Sequence, residues 1–175
     1  RPKFMNCKVE KSKITGHIKC PANKSYSHRA IFLAALAGNE SKIDNVLFSD
    51  DTIATIDTCK KFGAKIDESN SSIIVKKPIT FDINVPEIDA KNSGTTIRIA
   101  SGIAGLFTNE ITLTGDSSLQ KRPMQPLLDA LKSIGAECTS TNGMPPIKII
   151  GKILGGDISI PGNFSSQFVS ALLIC

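Results

Sequence analysis

Three short segments of this 175-residue chain carry side chains suited to holding anions: Asn23-Lys24-Ser25-Tyr26-Ser27-His28-Arg29, Asn92-Ser93-Gly94-Thr95-Thr96-Ile97-Arg98 and Asn163-Phe164-Ser165-Ser166-Gln167. Hydroxyls and amides supply hydrogen bonds. Arginine offers a planar fork to phosphate or carboxylate, and lysine a compact charge that two anions can share. Asn, Ser and Thr are also ordinary helix caps, so any one segment alone is unremarkable. Helix N-termini, however, present unpaired N–H groups that favour anions, and three such starts at a common register point to one anion site. Gly94 lets a backbone come close to a ligand. Lys24, at the very start of its helix, is expected to point along the axis toward that ligand, and Arg29, five residues on, shares its side only loosely.

The register comes from an internal repeat of about seventy residues. Gly16-His17-Ile18-Lys19-Cys20-Pro21 and Gly156-Asp157-Ile158-Ser159-Ile160-Pro161 share glycine, isoleucine and proline at matching places, and Pro86-Glu87-Ile88-Asp89-Ala90-Lys91 falls midway with the same isoleucine. Ser25, Thr95 and Ser165 are equivalent, as are Leu33, Ile103 and Leu173. Thr58-Cys59-Lys60-Lys61-Phe62-Gly63-Ala64 matches Ala130-Leu131-Lys132-Ser133-Ile134-Gly135-Ala136. In both, glycine stands where a helix ends in a left-handed residue before a strand.

Each unit reads as βαβαββ, which makes the chain an α+β protein of repeated units. Strands are predicted near 14–20, 42–47, 64–67 and 72–76, with helices near 24–37 and 51–62, and the last two strands form a hairpin. Ser49-Asp50-Asp51 reads as a helix cap with acids on the positive end. The divisions are residues 1–4 as an expression remnant, 5–13 as an amino-terminal strand, 14–80 and 81–152 as whole units, and 153–175 as the start of a third. The final apolar run, Phe168 to Cys175, is unlike a natural terminus and reads as a truncation.

The formal charge of +5 calls for an anionic partner but does not choose one. With no Trp, one Tyr and no Lys/Arg-rich block, stacking platforms and a dense basic stripe for nucleic acid are missing. No apolar run reaches the roughly 18 residues a membrane helix needs, and no signal peptide opens the chain. A cytoplasmic location follows. The five cysteines, without a Cys-x-x-Cys pair, read as idle thiols in a reducing compartment, so neither a metal nor a cofactor is expected.

Four strings in order resemble motifs of the enolpyruvylshikimate-phosphate synthases, within the enolpyruvyl transferase family. Pro21 to Ala30 is similar to that family's opening motif, and Asn92 to Arg98 to its Asn-x-Gly-Thr-x-x-Arg loop. Gly115-Asp116-Ser117-Ser118-Leu119-Gln120-Lys121-Arg122-Pro123-Met124 resembles its segment ending in Arg-Pro, and Ser165-Ser166-Gln167 its Ser-Ser-Gln motif.

The resemblance implies one lobe of a two-lobed fold and transfer of the enolpyruvyl group of phosphoenolpyruvate to the 5-hydroxyl of shikimate 3-phosphate. By that likeness Lys24 touches both substrates, and Ser25 and Arg29 hold the shikimate part. Ser165 and Ser166 take its phosphate, and Gln167 lies between the substrates. Gly94 and Arg122 hold phosphoenolpyruvate, with Asn92 and Thr95 close by. Arg98 is expected in a structural ion pair, Tyr26 and His28 stand where the family varies, and His17 is expected to face solvent. The acid and base groups belong to the other lobe, so this piece is expected to bind without catalysing. The expected protein is a monomer without nucleic-acid or membrane partners. Two other readings stay open. One is the related transferase acting on UDP-N-acetylglucosamine, whose loop carries a cysteine where this chain has Ser117-Ser118-Leu119-Gln120. The other is a non-catalytic RNA-binding repeat module.

Overall fold

The computed structural model describes residues 7–175, and residues 1–4, expected as a remnant, and the first residues of the predicted strand 5–13 lie outside them. The described elements run α1 (Lys24–Leu36), β1 (Ser41–Asp44), α2 (Asp50–Lys61), β2 (Lys65–Glu68), β3 (Ser72–Lys77), β4 (Glu87–Asp89), α3 (Gly94–Ala104), β5 (Glu110–Thr114), a short 3-10 turn at Leu119–Lys121, α4 (Gln125–Ser133), β6 (Glu137–Thr141), β7 (Met144–Ile150) and α5 (Ser166–Ile174).

The repeat is visible in the sheets. One has order β1-β3-β2 and the other β4-β5-β7-β6, so the strand between two helices, the closing strand and its hairpin partner occupy equivalent places in both. The hairpins are antiparallel, with Ile66 opposite Val75 in the first and Cys138 opposite Ile149 in the second. Alternation places Ile73 and Val75, and Ile147 and Ile149, on the buried faces. Gly63 and Gly135 each follow a helix with positive φ, 95° and 110°, as expected for the left-handed residue that ends it.

The opening strand of a unit forms only in the middle copy. There β4 pairs in parallel with β5 and Ile88 is fully buried. The equivalent Ile18 is 92% exposed, and among the described residues neither 7–22 nor 153–161 enters a ladder. The strand predicted near 14–20, the described part of 5–13 and the opening strand of the third unit are therefore corrected to irregular chain. Such short segments hold strand geometry only against a hydrogen-bonding neighbour, and Cys20 to Ala22 instead line a groove beside Ile43 to Asn45 at the end of β1. His17 is exposed, as expected, but in irregular chain.

The sheets and helices close over one continuous apolar core. Phe62, at the end of α2, stacks on Phe107 of the second unit with ring centroids 5.1 Å apart, and Phe81 meets the same ring edge-on. This aromatic contact joins the two units where flat rings remove the most area from water. Among the described residues no helix is long and apolar enough to cross a membrane.

Candidate active site

The equivalent helices α1, α3 and α5 pack together, α3 against both of the others. Their starts are capped by Asn23, Ser93 and Ser165, whose side chains accept from the N–H groups of Tyr26, Thr96 and Gln167. The first cap is an asparagine and the second and third are serines. Asn92 lies one residue before the cap, and Asn163 stands in an exposed turn ahead of α5. Hydroxyls took the capping role, which frees the Asn92 amide for another partner.

That partner is Arg122. Its Nη2 donates to Asn92 Oδ1 at 2.8 Å. Nη1 lies over Gly94, where an added Cβ would stand 2.6 Å from it. Arg122 ends the short turn at 119–121, and Asp116 shapes the loop before it by accepting from the backbone N–H groups of Ser118 and Leu119 at 3.0 and 2.8 Å. The glycine and the arginine, 28 positions apart in the chain, form a single feature.

The third helix start meets the second through Gln167. Its Nε2 donates to Thr95 Oγ1 at 2.7 Å, and its Oε1 accepts from Arg98 Nη1 at 2.6 Å. Arg98 Nη1 also reaches Ser165 Oγ at 3.4 Å, and its guanidinium lies 5.0 Å from the centroid of the Phe168 ring. The expected ion pair is absent among the described residues, and Arg98 Nε is buried without a partner. Burial first, and the neighbouring charge of Arg122 second, weaken its hold on its proton. A guanidinium stays charged nonetheless, so Arg98 and Arg122 add positive potential at the same helix start.

The first helix start is tied in by Lys24 and Arg29. Lys24 Nζ meets Asp51 Oδ2 at 2.6 Å, and the Asp51 carbonyl lies 3.3 Å from Thr96 Oγ1. Arg29 crosses to α5, where Nε and Nη2 both donate to Ser170 Oγ at 3.1 and 2.8 Å, and its Nη1 donates to the Ser25 carbonyl at 3.1 Å. The two cations therefore point to different neighbours. Ser25 and Ser166 stay exposed in the first turns of α1 and α5.

Of the ten residues named from the sequence, nine lie in the first turns of the three helices or beside them and Arg29 lies in the second turn of α1; all but Ser166, whose side chain stays exposed, take part in these contacts. Sequence reasoning missed Asp51. It lies just after the Ser49 cap of α2, confirmed by a capping box with Thr52, and a cap explains an acid there completely. Nothing local signals that its carboxylate reaches Lys24, 27 positions earlier. Among the described residues no group of three His, Cys, Asp or Glu side chains is placed to hold a metal ion.

Known proteins resemble the chain in sequence and in fold. A chain from Nitrosopumilus maritimus named 3-phosphoshikimate 1-carboxyvinyltransferase is 76% identical over 170 residues, and one of the same name from Methanothermobacter thermautotrophicus is 44% identical over 173. Each alignment covers 97% of this chain but only 40% and 41% of the relative, so the chain spans about two fifths of their length. A solved structure of EPSP synthase from Acinetobacter baumannii superposes with a TM-score of 0.82 at 29% identity, covering 91% of this chain and 37% of that one. The family model for EPSP synthase (3-phosphoshikimate 1-carboxyvinyltransferase) matches residues 9–175, and the chain belongs to that family.

Proposed function

We propose that the whole protein to which this chain belongs transfers the enolpyruvyl group of phosphoenolpyruvate to the 5-hydroxyl of shikimate 3-phosphate. The new bond joins that hydroxyl oxygen to C2 of the enolpyruvyl group, and the bond from C2 to the phosphate oxygen breaks, releasing inorganic phosphate. The observation that carries this reading is the linkage of three helix starts through Lys24 and Asp51, Asn92 and Arg122, and Thr95 and Gln167, on motifs in family order. Two substrates bearing phosphate and carboxylate groups match such a site.

In this reading Gly94 and Arg122 hold phosphoenolpyruvate, with Asn92 fixing the arginine fork and Thr95 fixing Gln167. Ser165 and Ser166, at the start of α5, take the phosphate of shikimate 3-phosphate, and Ser25 and Arg29 hold the rest of it. Lys24 lies within reach of both, and Gln167 stands between them. Protonating the methylene and deprotonating the attacking hydroxyl require positioned acids and bases, which we assign to the remainder of the protein. We further propose a cytoplasmic monomer that needs no cofactor or nucleic acid.

The test is phosphorus NMR of the full-length protein given both substrates. Appearance of inorganic phosphate together with enolpyruvylshikimate phosphate is the expected result. Release of phosphate without the enol ether, or turnover by residues 1–175 alone, would overturn the division of labour.

A further inference from the structure

His28 is fully buried between α1 and α2, and the site described above makes no use of it. Its Nδ1 lies 2.6 Å from Thr55 Oγ1, which lies 2.7 Å from Thr96 Oγ1, which in turn donates to Ser93 Oγ at 2.6 Å. Thr55 and Thr96 are fully buried and Ser93 is 1% exposed, so no solvent competes along the line. It runs from the segment bearing Lys24, Ser25 and Arg29, through α2, to the cap of α3 beside Asn92 and Gly94.

We infer that His28 is a positioning residue: through Thr55, Thr96 and Ser93 it sets the place of the Asn92–Gly94 loop on which Arg122 lies. The direction of the chain follows from counting protons. His28 Nε2 is buried without a partner. An orphaned acceptor is easier to bury than an orphaned N–H, which places the ring proton on Nδ1. Nδ1–H then donates to Thr55, Thr55 to Thr96 at 2.7 Å and Thr96 to Ser93 at 2.6 Å, each hydroxyl giving its single proton to the near oxygen in preference to the Asp51 carbonyl, which lies 3.5 Å from Thr55 Oγ1 and 3.3 Å from Thr96 Oγ1. Ser93 Oγ also accepts from the Thr96 N–H at 3.2 Å, completing the cap. The α1 end has anchors of its own: Ser27 Oγ donates to the Asn23 carbonyl and accepts from Leu47 N–H, both at 3.0 Å, and Arg29 grips Ser170. If the chain is cut, the α3 loop is therefore the part that shifts.

The functional consequence rests on the proposed reading, in which that loop serves phosphoenolpyruvate. In the full-length protein His28→Leu fills the space without a donor, Thr96→Val removes one hydroxyl at nearly constant shape, and His28→Asn returns an N–H close to the place of Nδ1. Leu and Val should each raise KM for phosphoenolpyruvate roughly tenfold, the worth of one buried hydrogen bond, with kcat and KM for shikimate 3-phosphate within about twofold. Asn should restore most of the loss, and the Leu/Val double variant should be no worse than either single one. Equal effects on both substrates, or no rescue by Asn, would overturn the inference and leave His28 as core packing. A readout independent of catalysis is nitrogen NMR of histidine-labelled protein, with the His28 signal assigned by its loss in His28→Asn. A proton on Nδ1 is expected, and a proton on Nε2 reverses the chain and overturns the inference. If the unaltered protein turns over neither substrate, the proposed function fails. The ring tautomer and the non-additivity of the two variants in unfolding then decide the relay alone.

Discussion

The Arg122 guanidinium rests on Gly94, closer than any side chain at position 94 would permit, since an added Cβ would stand 2.6 Å from Nη1. The relationship explains why a glycine opens α3, where a hydroxyl residue would serve the helix better, and why the amide of Asn92 faces sideways to meet the same fork.

Gly94→Ala should separate binding from stability. The atoms the new methyl meets belong to the far end of a flexible side chain, so Arg122 can move aside, and alanine favours the helix by up to about 1 kcal/mol over glycine. Thermal unfolding should therefore be unchanged or slightly later. In the full-length protein KM for phosphoenolpyruvate should rise roughly tenfold, because the displaced fork no longer meets its anion squarely. A variant with lower stability and unaltered KM would show that glycine is there for packing.

His28 makes the fold sensitive to acid. Burial, opposed by Asp51 and reinforced by Lys24 and Arg29, lowers its pKa from 6.5 to about 4. Between those values the unfolded chain binds a proton that the folded chain refuses. Stability is then fully retained above about pH 6.5 and lost as pH falls toward 4, by about 3 kcal/mol at most. Other groups titrate in the same range, so the measurement is the difference between the unaltered protein and His28→Asn in denaturant unfolding at pH 7 and pH 4. A difference that does not change with pH would mean that the ring is not held neutral.

How much of this was legible in the sequence depends on the range of the cause. Helix starts, the Gly63 and Gly135 stops and both hairpins follow from local chemistry and were read correctly, as was the seventy-residue register. The opening strands were misread because Ile18 and Ile158 share the pattern of Ile88 but lack the ladder partner that β5 gives to β4. Which residue of a polar trio caps a helix depends on one bond rotation, so the sequence does not choose between Asn92 and Ser93, and the structure gives the cap to Ser93. The Lys24–Asp51 contact and the line from His28 to Ser93 join separate helices, and no local pattern encodes such contacts.

Arg98 and Gln167 should be energetically coupled. Nη1 donates to Oε1 at 2.6 Å in a half-buried setting, and a hydrogen bond to a charged group is worth about 1.5–3 kcal/mol. In a double-mutant cycle of Arg98→Ala and Gln167→Ala, followed by thermal unfolding, the double variant should lose less than the sum of the singles by about that amount. Strict additivity would indicate that Arg98 is held by Phe168 and burial alone.

In the proposed reading both Arg122 and Ser166 bind anions, and they should serve different substrates. Arg122 sits on a loop fixed by Asp116 before it, and its fork is aimed by Asn92 across the glycine at the start of α3. Ser166 is the first residue of α5, exposed beside the capping Ser165, where hydroxyls and N–H groups can surround a phosphate. In the full-length protein Arg122→Ala should weaken phosphoenolpyruvate far more than shikimate 3-phosphate, by on the order of 2–5 kcal/mol when a buried charged partner is removed. Ser166→Ala should do the reverse and more mildly, by about 1–2 kcal/mol for one hydrogen bond to a charged group. Calorimetric titration of each substrate in turn separates the two effects. If both variants weakened both ligands by the same factor, the residues would be maintaining a shared framework, and the assignment of separate subsites would be wrong.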